Sequence, residues 1–341
     1  MRHVRFFFLY LCGLCAALLV SCNRDPEIAK RKYLENGNRY FSKAKYKEAS
    51  IMYRNAIQKD PKFGEAYYRL ALTEWTLGRT ANAVRPLERA IELLDKNRPE
   101  YRDADLKLAE VYLMAAGEAS ANGKQQQLLG EAQRISKEFL SRDENSYEGH
   151  KLQADVALLK ATNAARLGDK DTAQKAIETA ISEYHRTLAQ RPQEAGVKLS
   201  LARALAFRGD YPESEKQYHS VITQDKTNAT AYAELYRLYV MENKYPDGET
   251  TLKMAIANNP SRYDFQPLLA AYYYATNRRG EAAKVLNELQ GHSSDYERAY
   301  LTAGDFYLNV ANYEEAIRRY QQGMSTTPKL RCSIRNALSK R

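Results

Sequence analysis

The 341-residue chain contains one tryptophan, five histidines, four cysteines and ten prolines, and each scarcity closes off a class of protein. Cys12, Cys15 and Cys22 fall at the very start, which leaves Cys332 alone in the remaining body and excludes a disulfide framework. His3, His150, His185, His219 and His292 are scattered, with no pair at metal-ligand spacing, so no metal site is expected. No G-x-S-x-G elbow and no glycine-rich phosphate loop occur. Cys12 and Cys15 have redox spacing but sit inside an apolar stretch that should be cleaved away. Nothing argues for an enzyme, and no cofactor is expected. Sustained two-residue alternation is also missing, so strands are not expected; few prolines and sixteen glycines suit an all-α chain.

What the chain does have is a period. Residues 30–63 and 64–97 are two copies of one 34-residue pattern, numbered below as places 1 to 34. Small residues recur at place 8 (Gly37, Ala71), place 20 (Ala49, Ala83) and place 27 (Ala56, Ala90). A bulky residue recurs at place 24 (Tyr53, Leu87), and Pro61 closes the first copy. Looser copies in the same register occupy 195–228, 229–262, 263–296 and 297–330. Two extended units, 102–146 and 147–193, lie between them, the first with about eleven extra residues near Ala116–Gln127 ahead of its second helix. The small residues allow two antiparallel helices to approach closely, and the large ones fill the gaps between neighbouring pairs.

This pattern resembles the tetratricopeptide repeat. The resemblance implies an all-α, right-handed superhelical solenoid of stacked helix–turn–helix units, about eight of them over 30–330, with a core drawn out as a seam. It also implies a concave face lined by places 2, 5, 9, 12 and 13 of the first helices. Those places offer Asn38, Phe41, Tyr68, Leu72, Trp75, Arg203, Phe207, Arg237, Met241 and Tyr274, a lining suited to an extended peptide or a glycan. Glu74 stands at place 11, where a bulky residue is expected, and bears on how that helix is rotated. Chaperone-binding members of the family hold a C-terminal carboxylate with a two-carboxylate clamp. The corresponding places here are Leu34, Asn38, Arg69, Asp103 and Lys107, and Asp103 reverses the required charge, so that clamp is not expected.

The N-terminus carries a second signal. A basic Met1–Arg5 precedes an apolar run from Phe6 to Val20, fifteen residues long and short for a membrane span of roughly 20. Leu19-Val20-Ser21-Cys22 resembles the bacterial lipobox. That resemblance implies a signal peptide over 1–21, lipidation of Cys22 and a short tether over 22–29. Asn23 after the cysteine favours the outer membrane, facing the periplasm. A lipobox leading straight into repeats, with Tyr33–Asn38 and Lys45–Ala49, resembles the repeat lipoproteins of exosortase-linked (PEP-CTERM) exopolysaccharide systems. A basic stub over 331–341 cannot complete a ninth unit, which raises the expectation of a truncated reading frame.

Formal net charge is +10, falling to +8 (10 − 2) if Arg2 and Arg5 leave with the signal. An exported lipoprotein has little access to nucleic acid, so basic surface points to other envelope partners and to the bilayer through Cys22. Two function classes follow. The first is a non-enzymatic interaction scaffold on the periplasmic side that assists secretion or polysaccharide export. The alternative is an accessory activator or assembly factor docking on an envelope enzyme, a pilus or outer-membrane barrel machinery.

Overall fold

The computed structural model describes residues 25–118 and 122–326. Among them are sixteen α-helices and no strand. The chain forms two compact units, one ending at Thr187 and the other beginning at Leu188. The first contains α1 (Pro26–Ser42), α2 (Tyr46–Lys59), α3 (Gly64–Thr76), α4 (Thr80–Leu93), α5 (Pro99–Glu118), α6 (Asn122–Arg142) and α7 (Tyr147–Arg166), and most of α8 (Lys170–Gln190). The second contains α9 (Ala195–Arg208), α10 (Tyr211–Gln224), α11 (Ala229–Met241), α12 (Tyr245–Asn258), α13 (Phe265–Ala275), α14 (Arg279–Gly291), α15 (Ala299–Asn309) and α16 (Tyr313–Thr326). Signal residues 1–21, Leu19-Val20-Ser21-Cys22 and stub 331–341 lie outside the described residues.

Local chemistry sets the helix ends. Asp25 accepts from the Glu27 amide at 2.9 Å, and Pro26 opens α1 without needing a hydrogen-bond partner for its nitrogen. Residues 26–29 are therefore helical, and the expected tether over 22–29 is shortened accordingly. Ser146 and Asn228 cap α7 and α11 in the same way. The expected insert near Ala116–Gln127 is likewise corrected. Two long helices take up most of it, because α5 continues to Glu118 and α6 starts at Asn122. Packing explains the extension: Ala116 is fully buried, and the buried Gln125 amide donates to its carbonyl at 3.0 Å.

Within each of the six regular units the turn between helices falls at place 15, and there φ is positive. Gly78 and Gly209 adopt it freely, and Asn243 and Asn277 adopt it tolerably, whereas Ala44 (φ 55°) and Ala311 (φ 57°) do so against their Cβ atoms. Ala311→Gly is therefore expected to raise stability by about 1 kcal/mol, measured as a rise in the urea unfolding midpoint at unchanged slope.

Helix pairing follows size complementarity. Ala49, Ala83 and Ala316 at place 20 are fully buried. Where place 8 is glycine, place 24 is a tyrosine laid against it: a Cβ on Gly37 would fall 2.5 Å from the Tyr53 ring, and one on Gly304 would clash with Tyr320. Where place 8 is Ala71 or Ala270, place 24 shrinks to Leu87 or Leu286, all four of them buried. In unit 229–262 the order is inverted: Tyr236 occupies place 8, and Gly248 at place 20 would bring a Cβ to 3.4 Å from its ring. Volume is thus traded across the pair in these five units, whereas in unit 195–228 Ala202 at place 8 accompanies the buried Tyr218 at place 24.

Candidate interaction surfaces

In the first unit the expected inner-face residues are largely engaged within the fold. Asn38 on α1 accepts from the Tyr53 hydroxyl at 2.8 Å. Phe41 meets Tyr46 edge-on at 5.1 Å. Tyr68 on α3 is buried and its hydroxyl donates to Asp103 at 2.9 Å, so it is a packing residue and not a free anchor. Leu72 and Trp75 are half-buried against the same core, with the Lys107 ammonium 5.2 Å from the Trp75 ring centre. Asp103 is thus a hydrogen-bond acceptor for the fold, at a place where the chaperone clamp would need a cation.

The second unit keeps more of this face open. Arg203 and Phe207 on α9 stand at places 9 and 13, and Arg237 and Met241 occupy the same places on α11. Phe207 is 39% exposed and Met241 60%. Both arginines turn to one carboxylate: Glu234 lies 3.3 Å from Arg203 and 3.5 Å from Arg237. Tyr218 also donates to Glu234, at 3.4 Å. Two guanidinium groups sharing one carboxylate retain an uncompensated positive charge beside two exposed apolar side chains. Tyr274 on α13 is half-buried, packed edge-on against Phe306, with Arg279 over its ring at 5.2 Å.

A recurrent polar cluster joins successive repeats, and the small-residue pattern does not point to it. In unit 229–262, Tyr239 (place 11) donates at 2.8 Å to Glu215, place 21 of the preceding unit, and Lys244 (place 16) sits 3.5 Å from the same carboxylate. One period later Tyr273 donates to Glu249 at 3.0 Å and Arg278 reaches it at 2.6 Å. Arg278, together with Lys253 and Tyr273, holds the Glu249 carboxyl down to about 2 against the opposing effect of burial. Glu74 belongs to the same scheme with its charge transposed. It occupies place 11, accepts from Ser50 (place 21) at 2.9 Å and from Arg54 at 3.0 Å, and lies 3.7 Å from Arg79 at place 16. Burial would raise the Glu74 carboxyl, yet Ser50, Arg54 and Arg79 keep it below the ordinary range. The helix therefore keeps its rotation, because a carboxylate fills the bulky place. A polar residue at place 11 facing a small hydroxyl at place 21 is the signal the sequence offers for it.

Among the described residues no group of three or more His, Cys, Asp and Glu could hold a metal ion. No described helix is long and apolar enough to cross a membrane. All four cysteines lie outside the described residues.

Comparison with known proteins agrees with this geometry. Profiles described as TPR repeat and tetratricopeptide repeat match residues 37–78, 64–94 and 158–229. The DnaJ homolog subfamily C member 7 of Homo sapiens is 26% identical over 360 residues, an overlap covering 89% of this chain and 68% of that protein. The crystal structure of a tetratricopeptide repeat protein from Parabacteroides merdae superposes with a TM-score of 0.55 at 16% identity, over 80% of this chain and 98% of that one. A chain of the APC/C hetero-tetramer Cut9–Hcn1 superposes with a TM-score of 0.51 at 16% identity, over 76% of this chain and 45% of that one. At such identities the superpositions speak to the fold alone. The chain carries tetratricopeptide repeats.

Proposed function

We propose that this repeat protein is a non-enzymatic interaction scaffold of the bacterial envelope, tethered through lipid on Cys22 to the outer membrane and facing the periplasm. There it assists secretion or exopolysaccharide export. The carrying observation is the paired row on α9 and α11, Arg203 with Arg237 and Phe207 with Met241, left open beside a single shared carboxylate. Interfaces draw most of their energy from a few aromatic and arginine anchors, and exposed apolar groups flanked by charge suit an extended peptide segment or a helix of a partner protein. Support for the anchor is the lipobox-like Leu19-Val20-Ser21-Cys22 after an apolar run too short to span a bilayer. Acyl chains added at Cys22 give durable attachment where a single chain is marginal.

Two measurements test this reading. Cys22→Ala is expected to abolish labelling by a fatty-acid probe and to release the protein from the membrane fraction; equal labelling of both proteins removes the anchor. Crosslinking in intact cells should recover envelope proteins with the wild type. The folded double variant Arg203→Ala, Arg237→Ala should lose them by about tenfold or more, as for paired hot spots. A folded double variant that keeps every partner places the interaction on another face.

A further inference from the structure

On a different face of α3 from Tyr68 and Trp75, a groove of about 770 Å³ opens between α2 and α4. Its charged lining is Arg54, Arg85 and Arg89, with no acid among the lining residues. Arg54 gives one guanidinium nitrogen to Glu74, and Arg89 pairs with Glu92 and lies 5.9 Å over the Tyr67 ring. Arg85 is exposed and has no carboxylate partner among the described residues.

The repeat supplies an internal comparison. The second unit has a groove of about 490 Å³ at the same places, between α12 and α14 with α13 as its floor. There places 25 and 22 are Lys253 and Lys284, but place 19 is Glu281 and place 26 is Glu288. In the first unit those two acidic places are Asn82 and Arg89. One slot is therefore balanced by its own side chains, and the other has lost its acids and gained a cation.

We propose that the α2–α4 groove is a binding site for an acidic, extended peptide segment of a partner protein. Two features favour a peptide over a bare phosphate. Arg85 and Arg89 are one helical turn apart, about 6 Å along the axis, close to the roughly 6.6 Å between alternate residues of an extended chain. Acidic residues at alternate positions would thus meet both guanidinium groups. Ile57 and Leu70 add apolar lining, against which the intervening side chains of such a segment pack. The site does not depend on the surface of α9 and α11.

The test is fluorescence polarisation with a short labelled peptide alternating glutamate and leucine, titrated with the full-length protein. Inorganic phosphate and phosphatidylglycerol vesicles serve as parallel ligands. Wild type is expected to bind the peptide with an affinity that falls as salt rises. Arg85→Glu should weaken it at least tenfold with an unchanged thermal melt, Arg85→Gln should weaken it less, and Lys284→Glu in the balanced groove should leave it as it was. The proposal is overturned if wild type does not bind the peptide, if Arg85→Glu binds it as well as wild type, or if Lys284→Glu weakens it equally. It is also overturned if phosphate or vesicles, and not the peptide, are the ligands lost in Arg85→Glu.

Discussion

His150→Leu is expected to destabilise the first unit by about 1–3 kcal/mol, the cost of leaving a buried hydrogen-bonding group without its partner. His150 on α7 and Glu183 on α8 are both buried, with Nδ1 and Oε2 2.5 Å apart. The other ring nitrogen faces the Glu144 carbonyl at 2.9 Å. That oxygen can only accept, so Nε2 donates to it, while Nδ1 faces Glu183. Leucine removes both ring contacts and leaves Glu183 with only Arg186, 3.6 Å away on the helix surface. The double variant His150→Leu, Glu183→Leu should regain most of the loss, since replacing both partners of a buried hydrogen bond by apolar groups is nearly neutral. Urea melts of the four proteins form the cycle. Additive single effects, with no recovery in the double variant, would show that the pair is not coupled.

The second large effect is a pH dependence. Asp105 on α5 is 2% exposed, and its Oδ2 has no hydrogen-bond partner. Burial pushes its carboxyl up to about 6, and the nearby Glu138 adds to the rise. Arg134, Arg142 and Lys96 pull the other way, but both arginines are committed to Glu138 on their own helix, at 3.5 Å and 2.6 Å. Between about pH 4 and pH 6 the folded protein holds this proton more tightly than the unfolded chain does. Stability contributed by the neutral acid is therefore present at low pH and lost as pH rises through 6. Asp105→Asn cannot ionise. Its stability relative to wild type should grow by about 2–3 kcal/mol from pH 4 to pH 7, because each tenfold change in proton affinity is worth about 1.4 kcal/mol. Denaturant melts at several pH values read this directly, and parallel profiles for the two proteins would contradict it.

Much of the fold is legible because a repeat writes the same local instruction many times. Small residues at places 8, 20 and 27 mark where two helices touch, and Ala49, Ala56, Ala83 and Ala90 are all fully buried. The site is less legible. Places 5 and 9 in the first unit identify residues on the inner helices but do not say whether a partner within the fold has already taken them. Tyr68 is taken by Asp103 and Asn38 by Tyr53, whereas Phe207 and Met241 are left open. Between α5 and α6 an insert is expected where the two helices are instead extended, because a gap in the period looks the same whether it is loop or helix. Burial of Ala116 and the Gln125 hydrogen bond decide for helix.

Helical class, the 34-residue register and the faces the helices bury are written in the order of residues, since these depend on spacing along a single helix or a single hairpin. How charge is distributed between hairpins emerges when the hairpins pack. Glu215, Glu249 and Glu74 serve equivalent clusters, yet Glu74 sits on the opposite side of its cluster from the other two. Arg54, Arg85 and Arg89 come together in one groove while Lys253, Lys284, Glu281 and Glu288 cancel in another. Periodicity arises from the geometry of the backbone and repeats wherever the pattern does. Electrostatic and hydrogen-bond partners such as Tyr239 and Glu215 come from different hairpins, so their pairing depends on which side chains neighbouring hairpins bring within a few ångströms of each other.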